Sequence, residues 1–129
     1  MVKLNVELLR RVNNVEFGMK REVVRSNLGN LIGEFKKTKF SSILTDDFGF
    51  CHVFYNDKDE CEAIEIFEEA EVIVDGKIIF PGTLENIKSV VGDLEEVDGC
   101  YISENKSVGV FAPSGKPESI LLGMKGYYE

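Results

Sequence analysis

Two stretches of the chain carry apolar residues at helical spacing and end in the same way. Lys20 to Gly29 reads KREVVRSNLG and Thr83 to Gly92 reads TLENIKSVVG. In this register Glu22 matches Glu85, Val24 matches Ile87, Arg25 matches Lys88, Ser26 matches Ser89 and Leu28 matches Val91, and the glycines coincide. Both predict short amphipathic helices, each closed by a glycine suited to the left-handed position just past a helix end. Thr83 offers the second helix an N-cap hydroxyl for an otherwise orphaned amide proton.

Downstream of each helix the pattern changes to that of strands. Phe50 to Phe67 (FCHVFYNDKDECEAIEIF) aligns with Lys106 to Gly123 (KSVGVFAPSGKPESILLG), placing Phe54 on Val110, Tyr55 on Phe111, Glu62 on Glu118, Ile64 on Ile120 and Ile66 on Leu122. Polar Asn56 to Glu60 interrupts the first pair of apolar runs, and Pro113-Ser114-Gly115-Lys116 the second, so each segment predicts a hairpin. A further hairpin is signalled by Val72-Ile73-Val74 and Lys77 to Phe80 around Asp75-Gly76, a pair that suits a type I′ turn. Pro81-Gly82 punctuates the boundary between the copies, and the N-terminal segment is left without a defined element. The expectation is a single α+β domain over residues 1–129, built from tandem helix-plus-antiparallel-strand repeats at 19–80 and 83–123. Both helices would pack on one face of an antiparallel sheet, because a single layer cannot bury its own apolar side.

Composition agrees with a folded domain, at 43% hydrophobic and 29% charged residues. Met1 to Val12 mixes Lys3, Glu7, Arg10 and Arg11 among its apolar residues, unlike the unbroken apolar stretch of a secretory signal. With no apolar run long enough for a membrane span, a cytoplasmic location is expected. Cys51, Cys61 and Cys100 are odd in number and lack metal-type spacing, which predicts reduced thiols.

The net charge of −8 is unevenly spread: residues 1–44 carry +5 and residues 45–129 carry −13. An acidic majority repels phosphate backbones, so nucleic acid is not an expected partner. Lys36, Lys37 and Lys39, interleaved with Phe35 and Phe40, read instead as a charged edge that discourages sheet-to-sheet association.

Chemistry-bearing residues are few. His52, the only histidine, adjoins Cys51, but neighbouring strand residues point to opposite faces, which argues against a Cys-His nucleophilic pair. A hairpin closing at Asn56 and Cys61 would set His52 across from Glu65, in reach of a cross-strand contact. Asp57, Asp59, Glu65 and Glu68 fall at four positions of a calcium-loop pattern, but Glu62 stands where that loop demands glycine, so no metal is expected. No nucleotide-binding, zinc-protease or nucleophile-elbow motif occurs and no cofactor is expected. The remaining feature is acidic density: Asp57, Asp59, Glu60, Glu62, Glu65, Glu68, Glu69, Glu71 and Asp75 fall within nineteen residues beside one base, Lys58. Such a stretch would steer and dock a basic protein. Tyr101, Tyr127 and Tyr128 are candidate anchors, tyrosine being enriched at binding hot spots.

The tandem pattern, with Phe17-Gly18-Met19 before its first helix, resembles the architecture of the β-lactamase inhibitor protein and of small outer-membrane assembly lipoproteins over residues 15–123. It departs from them in lacking an export signal, a lipid-attachment cysteine and paired cysteines. The small acidic chain also resembles cytoplasmic immunity proteins that accompany polymorphic and contact-dependent bacterial toxins. That resemblance implies a non-enzymatic inhibitor of a cognate toxin domain, such as a basic nuclease, and assigns no binding residue. The other classes left open are a small enzyme of unrecognised type and a structural or regulatory domain.

Overall fold

Alternation along the first residues decides more of the architecture than the helices do. In a computed structural model describing residues 1–129, Val2–Glu7 forms β1, with Leu4 and Val6 buried between polar neighbours. The chain continues through β2 (Arg11–Val12), β3 (Val15–Glu16), α1 (Arg21–Leu28), β4 (Gly33–Lys36), β5 (Leu44–Asp47), β6 (Cys51–Tyr55) and β7 (Cys61–Phe67). It then forms β8 (Ala70–Val74), β9 (Lys77–Phe80), α2 (Leu84–Val91), β10 (Glu95–Val97), β11 (Cys100–Ser103), β12 (Val108–Phe111) and β13 (Ser119–Gly123).

These strands make two sheets. One has five strands in the order β3-β2-β1-β8-β9, with β1 and β8 parallel. The other has eight in the order β10-β11-β12-β13-β7-β6-β5-β4, antiparallel throughout. Two runs of four strands, each consecutive in sequence, thus meet where β13 lies beside β7, with Ile120 opposite Ile66 and Leu122 opposite Ile64.

The expected α+β class, tandem helix-plus-antiparallel-strand repeats with both helices on one face of a sheet, is corrected by this arrangement. The chain is mostly β, 44% strand against 12% helix, and no layer of helices spans a sheet. α1 contacts β3 and α2 contacts β9, the two edge strands of the five-stranded sheet. The physical reason is that the apolar face of the eight-stranded sheet is buried against a second sheet. Leu4, Val6, Ala70, Val72, Val74, Ile79 and Phe80 share one core with Val53, Ile64, Ile66, Val108, Val110, Ile120 and Leu122. Two eight-residue helices cannot cover a sheet of that width, and Val24, Ile87 and Val91 seal its margins instead.

Local chemistry is as anticipated at several joints. Thr83 caps α2 by accepting the Asn86 amide proton at 3.2 Å. Gly29 and Gly92, each at positive φ, donate their amides back to Arg25 and Lys88. Asp75 and Gly76 both take positive φ in the β8–β9 turn, as a type I′ turn requires.

Cys51 and Cys61 are buried and Cys100 partly so, and none is bonded to another. Burial pushes the Cys51 and Cys61 thiols up to about 12, and reactivity needs the thiolate. In the native protein an aromatic disulfide reagent is therefore expected to titrate Cys100 alone, and all three thiols after denaturation. Rapid native reaction of two would contradict this burial.

Candidate functional site

Side-chain alternation gives the eight-stranded sheet a second face, turned away from the core. Cys51, Val53, Ile64, Ile66, Ile120 and Leu122 point inward, so His52, Glu65, Phe67, Ser119 and Leu121 point outward. The register carries the same face across to Gly109, Phe111, Cys100, Ile102, Val97 and Glu95, and in the other direction to Asp47 and Phe35. Phe111 and Val97 remain 44% and 49% exposed.

Part of this face is covered by residues 124–129. Strand glycines make the room. A Cβ on Gly109 would overlap the Tyr128 hydroxyl, and one on Gly123 would lie 2.9 Å from Tyr127 Cβ. The two rings meet edge to face at 5.1 Å between centroids. Lys37 reaches in from the loop after β4, its Nζ 3.2 Å from the Tyr127 hydroxyl and 4.5 Å from the centre of the Phe54 ring. Burial raises the Tyr128 phenol above its ordinary range, with Tyr127, Cys100 and Glu65 contributing in the same direction.

Either side of Tyr128 the face is grooved. One cavity, about 460 Å³, is walled by Leu94, Val97, Ile102 and Tyr128 and rimmed by Asp93, Glu95 and Glu104. The other, about 190 Å³, is mostly apolar and runs past Ile102, Phe111, Leu121 and Cys100 to Glu65. No lysine or arginine lines either. Farther along, His52 meets Phe35 and Phe67 edge to face, with ring centroids 4.8 and 4.7 Å away, and Asp47 lies 3.5 Å from its Nε2. The anticipated register of His52 opposite Glu65 is present, yet Glu65 accepts its hydrogen bond from Ser119 at 2.8 Å.

Of the sequence candidates, Glu65, Tyr127 and Tyr128 come together on this face. Tyr101 turns the other way, opposite Val110 and against the core. The remaining carboxylates are divided among separate places. Asp57, Asp59 and Glu60 lie in or beside the β6–β7 turn, Glu68 and Glu69 in the turn at the far end of β7, Glu71 on β8 and Asp75 in the β8–β9 turn. Glu62 is half-buried on β7. Asp59 is ion-paired with Arg21 at 2.7 Å, and Glu60 lies 3.9 Å from Lys20.

A second cluster, absent from the sequence reading, is structural. Asp46 is fully buried on the core side of β5 and accepts from Arg21 at 3.0 Å, Arg25 at 2.8 and 2.6 Å, and Tyr55 at 2.8 Å. Arg21 also lies over the Tyr55 ring at 4.0 Å. Burial alone would raise the Asp46 carboxyl, but hydrogen bonds from Arg25 and Tyr55 and the charges of both arginines hold it below the usual carboxylate range. The cluster fastens α1 to the β4–β6 end of the large sheet. The signal for it was the i,i+4 spacing of Arg21 and Arg25, which puts both guanidiniums on one helix face.

No helix is long and apolar enough to cross a membrane. Comparison with family models, curated proteins and solved structures finds no match to this chain.

Proposed function

We propose that this chain is a cytoplasmic, non-enzymatic protein-binding inhibitor of the immunity type, which masks a basic toxin domain. The observation that carries this reading is the outward face of the eight-stranded sheet. It bears exposed Phe111, Val97 and Phe35 and partly buried tyrosines, with uncompensated carboxylates at its rim. Apolar and aromatic groups ringed by charge are the anatomy of a protein interface. A net charge of −8 suits attraction to a basic partner. The exposed turn carboxylates Asp57, Glu68, Glu69 and Asp75 would act on encounter rate, as rim charges do.

An immunity gene is expected directly after the toxin gene it answers. Expression of the upstream-encoded protein alone should arrest growth, and co-expression of this chain should restore it through a stable complex. Persistent arrest on co-expression, with no complex formed, would contradict the reading. In a complex that forms, reversing Glu62, Glu65 and Glu69 to Lys should slow association roughly tenfold at low salt. Stopped-flow mixing measures this, and a rate insensitive to both charge and salt would remove the steering role.

A further inference from the structure

The groove over β10–β13 carries a more specific assignment, resting on the proposed binding role. We propose that it receives a segment of the partner in which arginine or lysine alternates with apolar side chains. The two cavities, about 460 and 190 Å³, share Ile102 and Tyr128 among their lining residues and so adjoin at the Tyr128 ring. Val97 and Ile102 give the larger cavity an apolar part beside its polar Ser103 and Asn105, and Ile102, Phe111 and Leu121 make the smaller one mostly apolar. Asp93, Glu95 and Glu104 stand at one end, and none of them belongs to any ion pair in the chain. At the other end stands Glu65.

Charge complementarity selects the occupant. Carboxylates without cations repel a phosphate backbone or an acidic peptide. They do not converge as a group able to hold one metal ion. Charges spaced along a groove with apolar patches fit separate cationic heads whose methylene stems lie on those patches, as lysine and arginine side chains do at interfaces. Tyr128 adds an aromatic ring against which a guanidinium can stack. Apolar residues of the same segment would then meet Phe111 and Leu121.

The assignment is tested with the intact chain and a defined probe, the peptide acetyl-Arg-Phe-Arg-Leu-Arg-amide, followed by amide chemical shifts. The expected shifts cluster on β10–β13 and Tyr128, and the Glu-for-Arg analogue produces none. D93K/E95K/E104K should weaken the peptide roughly tenfold or more. E16K/E22K/E85K, with the same change in net charge but on β3, α1 and α2 away from the groove, should change it less than about twofold. Tyr128→Ala should also weaken binding, with backbone amide dispersion retained as the check of folding. Shifts that map elsewhere, equal losses in the two charge-reversed variants, or no saturable shifts would overturn the groove assignment. A peptide that binds as expected while the upstream-encoded protein does not would refute only the immunity reading. The reverse result would keep that reading and move the interface to another surface.

Discussion

Asp46→Ala is expected to destabilise the fold by about 3 kcal/mol, because removing one member of a buried charge cluster leaves its partners uncompensated. Arg21 and Arg25 are 14% and 32% exposed at the side chain, so water recovers part of the loss, which sets the value at the low end of the usual range. Tyr55, whose phenol is raised by burial and by the Asp46 bond, would also lose its acceptor. Urea unfolding gives the magnitude. The same carboxylate makes stability depend on pH. Its folded pKa lies below the unfolded value, so on acidification the unfolded chain takes up the proton first. The contribution is complete above about pH 5 and is lost as pH falls through the unfolded and then the folded value. Asp46→Asn should flatten this acid limb, and an unaltered limb would mean that other carboxylates carry it.

Two adjacent residues on β13 should separate stability from binding. Ile120 is fully buried opposite Ile66, whereas Leu121 faces the groove. Ile120→Ala is expected to cost about 3 kcal/mol, from lost transfer energy and the cavity left behind. Leu121→Ala should cost less than Ile120→Ala, about 1–2 kcal/mol in stability, since that side chain is only partly buried, while weakening the peptide probe. Comparable stability losses at both positions would place the outward face inside the core.

Much of the local structure was legible in the sequence because its signals are local. Thr83, Gly29, Gly92 and Asp75-Gly76 each specify a joint within a few residues of themselves, and the hairpins around Asn56–Glu60 and Pro113–Lys116 fall between contrasting runs. The architecture was not legible for the opposite reason. Val2, Leu4 and Val6 alternate as a strand, but their partners Ala70, Val72 and Val74 lie 68 residues further along and the pairing is parallel, so no turn announces it. Without β1 the five-stranded sheet disappears, and the helices become the natural cover for the remaining strands. Short edge strands such as Glu95–Val97, wholly exposed and with a single apolar residue, carry no alternating signal.

The candidate site was legible in part. Tyr127, Tyr128 and Glu65 were marked by residue type, but the acidic stretch that drew attention divides among several turns. The groove carboxylates Asp93 and Glu95 belong to a second acidic run, four acids within 93–98, which the longer run at 57–75 outweighs in the sequence, and Glu104 stands apart from both. The missed signal was glycine inside strand patterns, Gly109 and Gly123, which marks the close approach of another group. Arg21, Arg25 and Asp46 needed the fold itself, since only the helix-to-sheet packing brings them together.

Hydrogen exchange on the proposed complex with the upstream-encoded protein tests the proposed binding face most directly. Protection is expected in β10–β13 and in residues 124–129, with the 57–75 turns unchanged apart from β7 beneath the face. Protection confined to those turns or to the five-stranded sheet, with β10–β13 exchanging as in the free chain, would contradict the account.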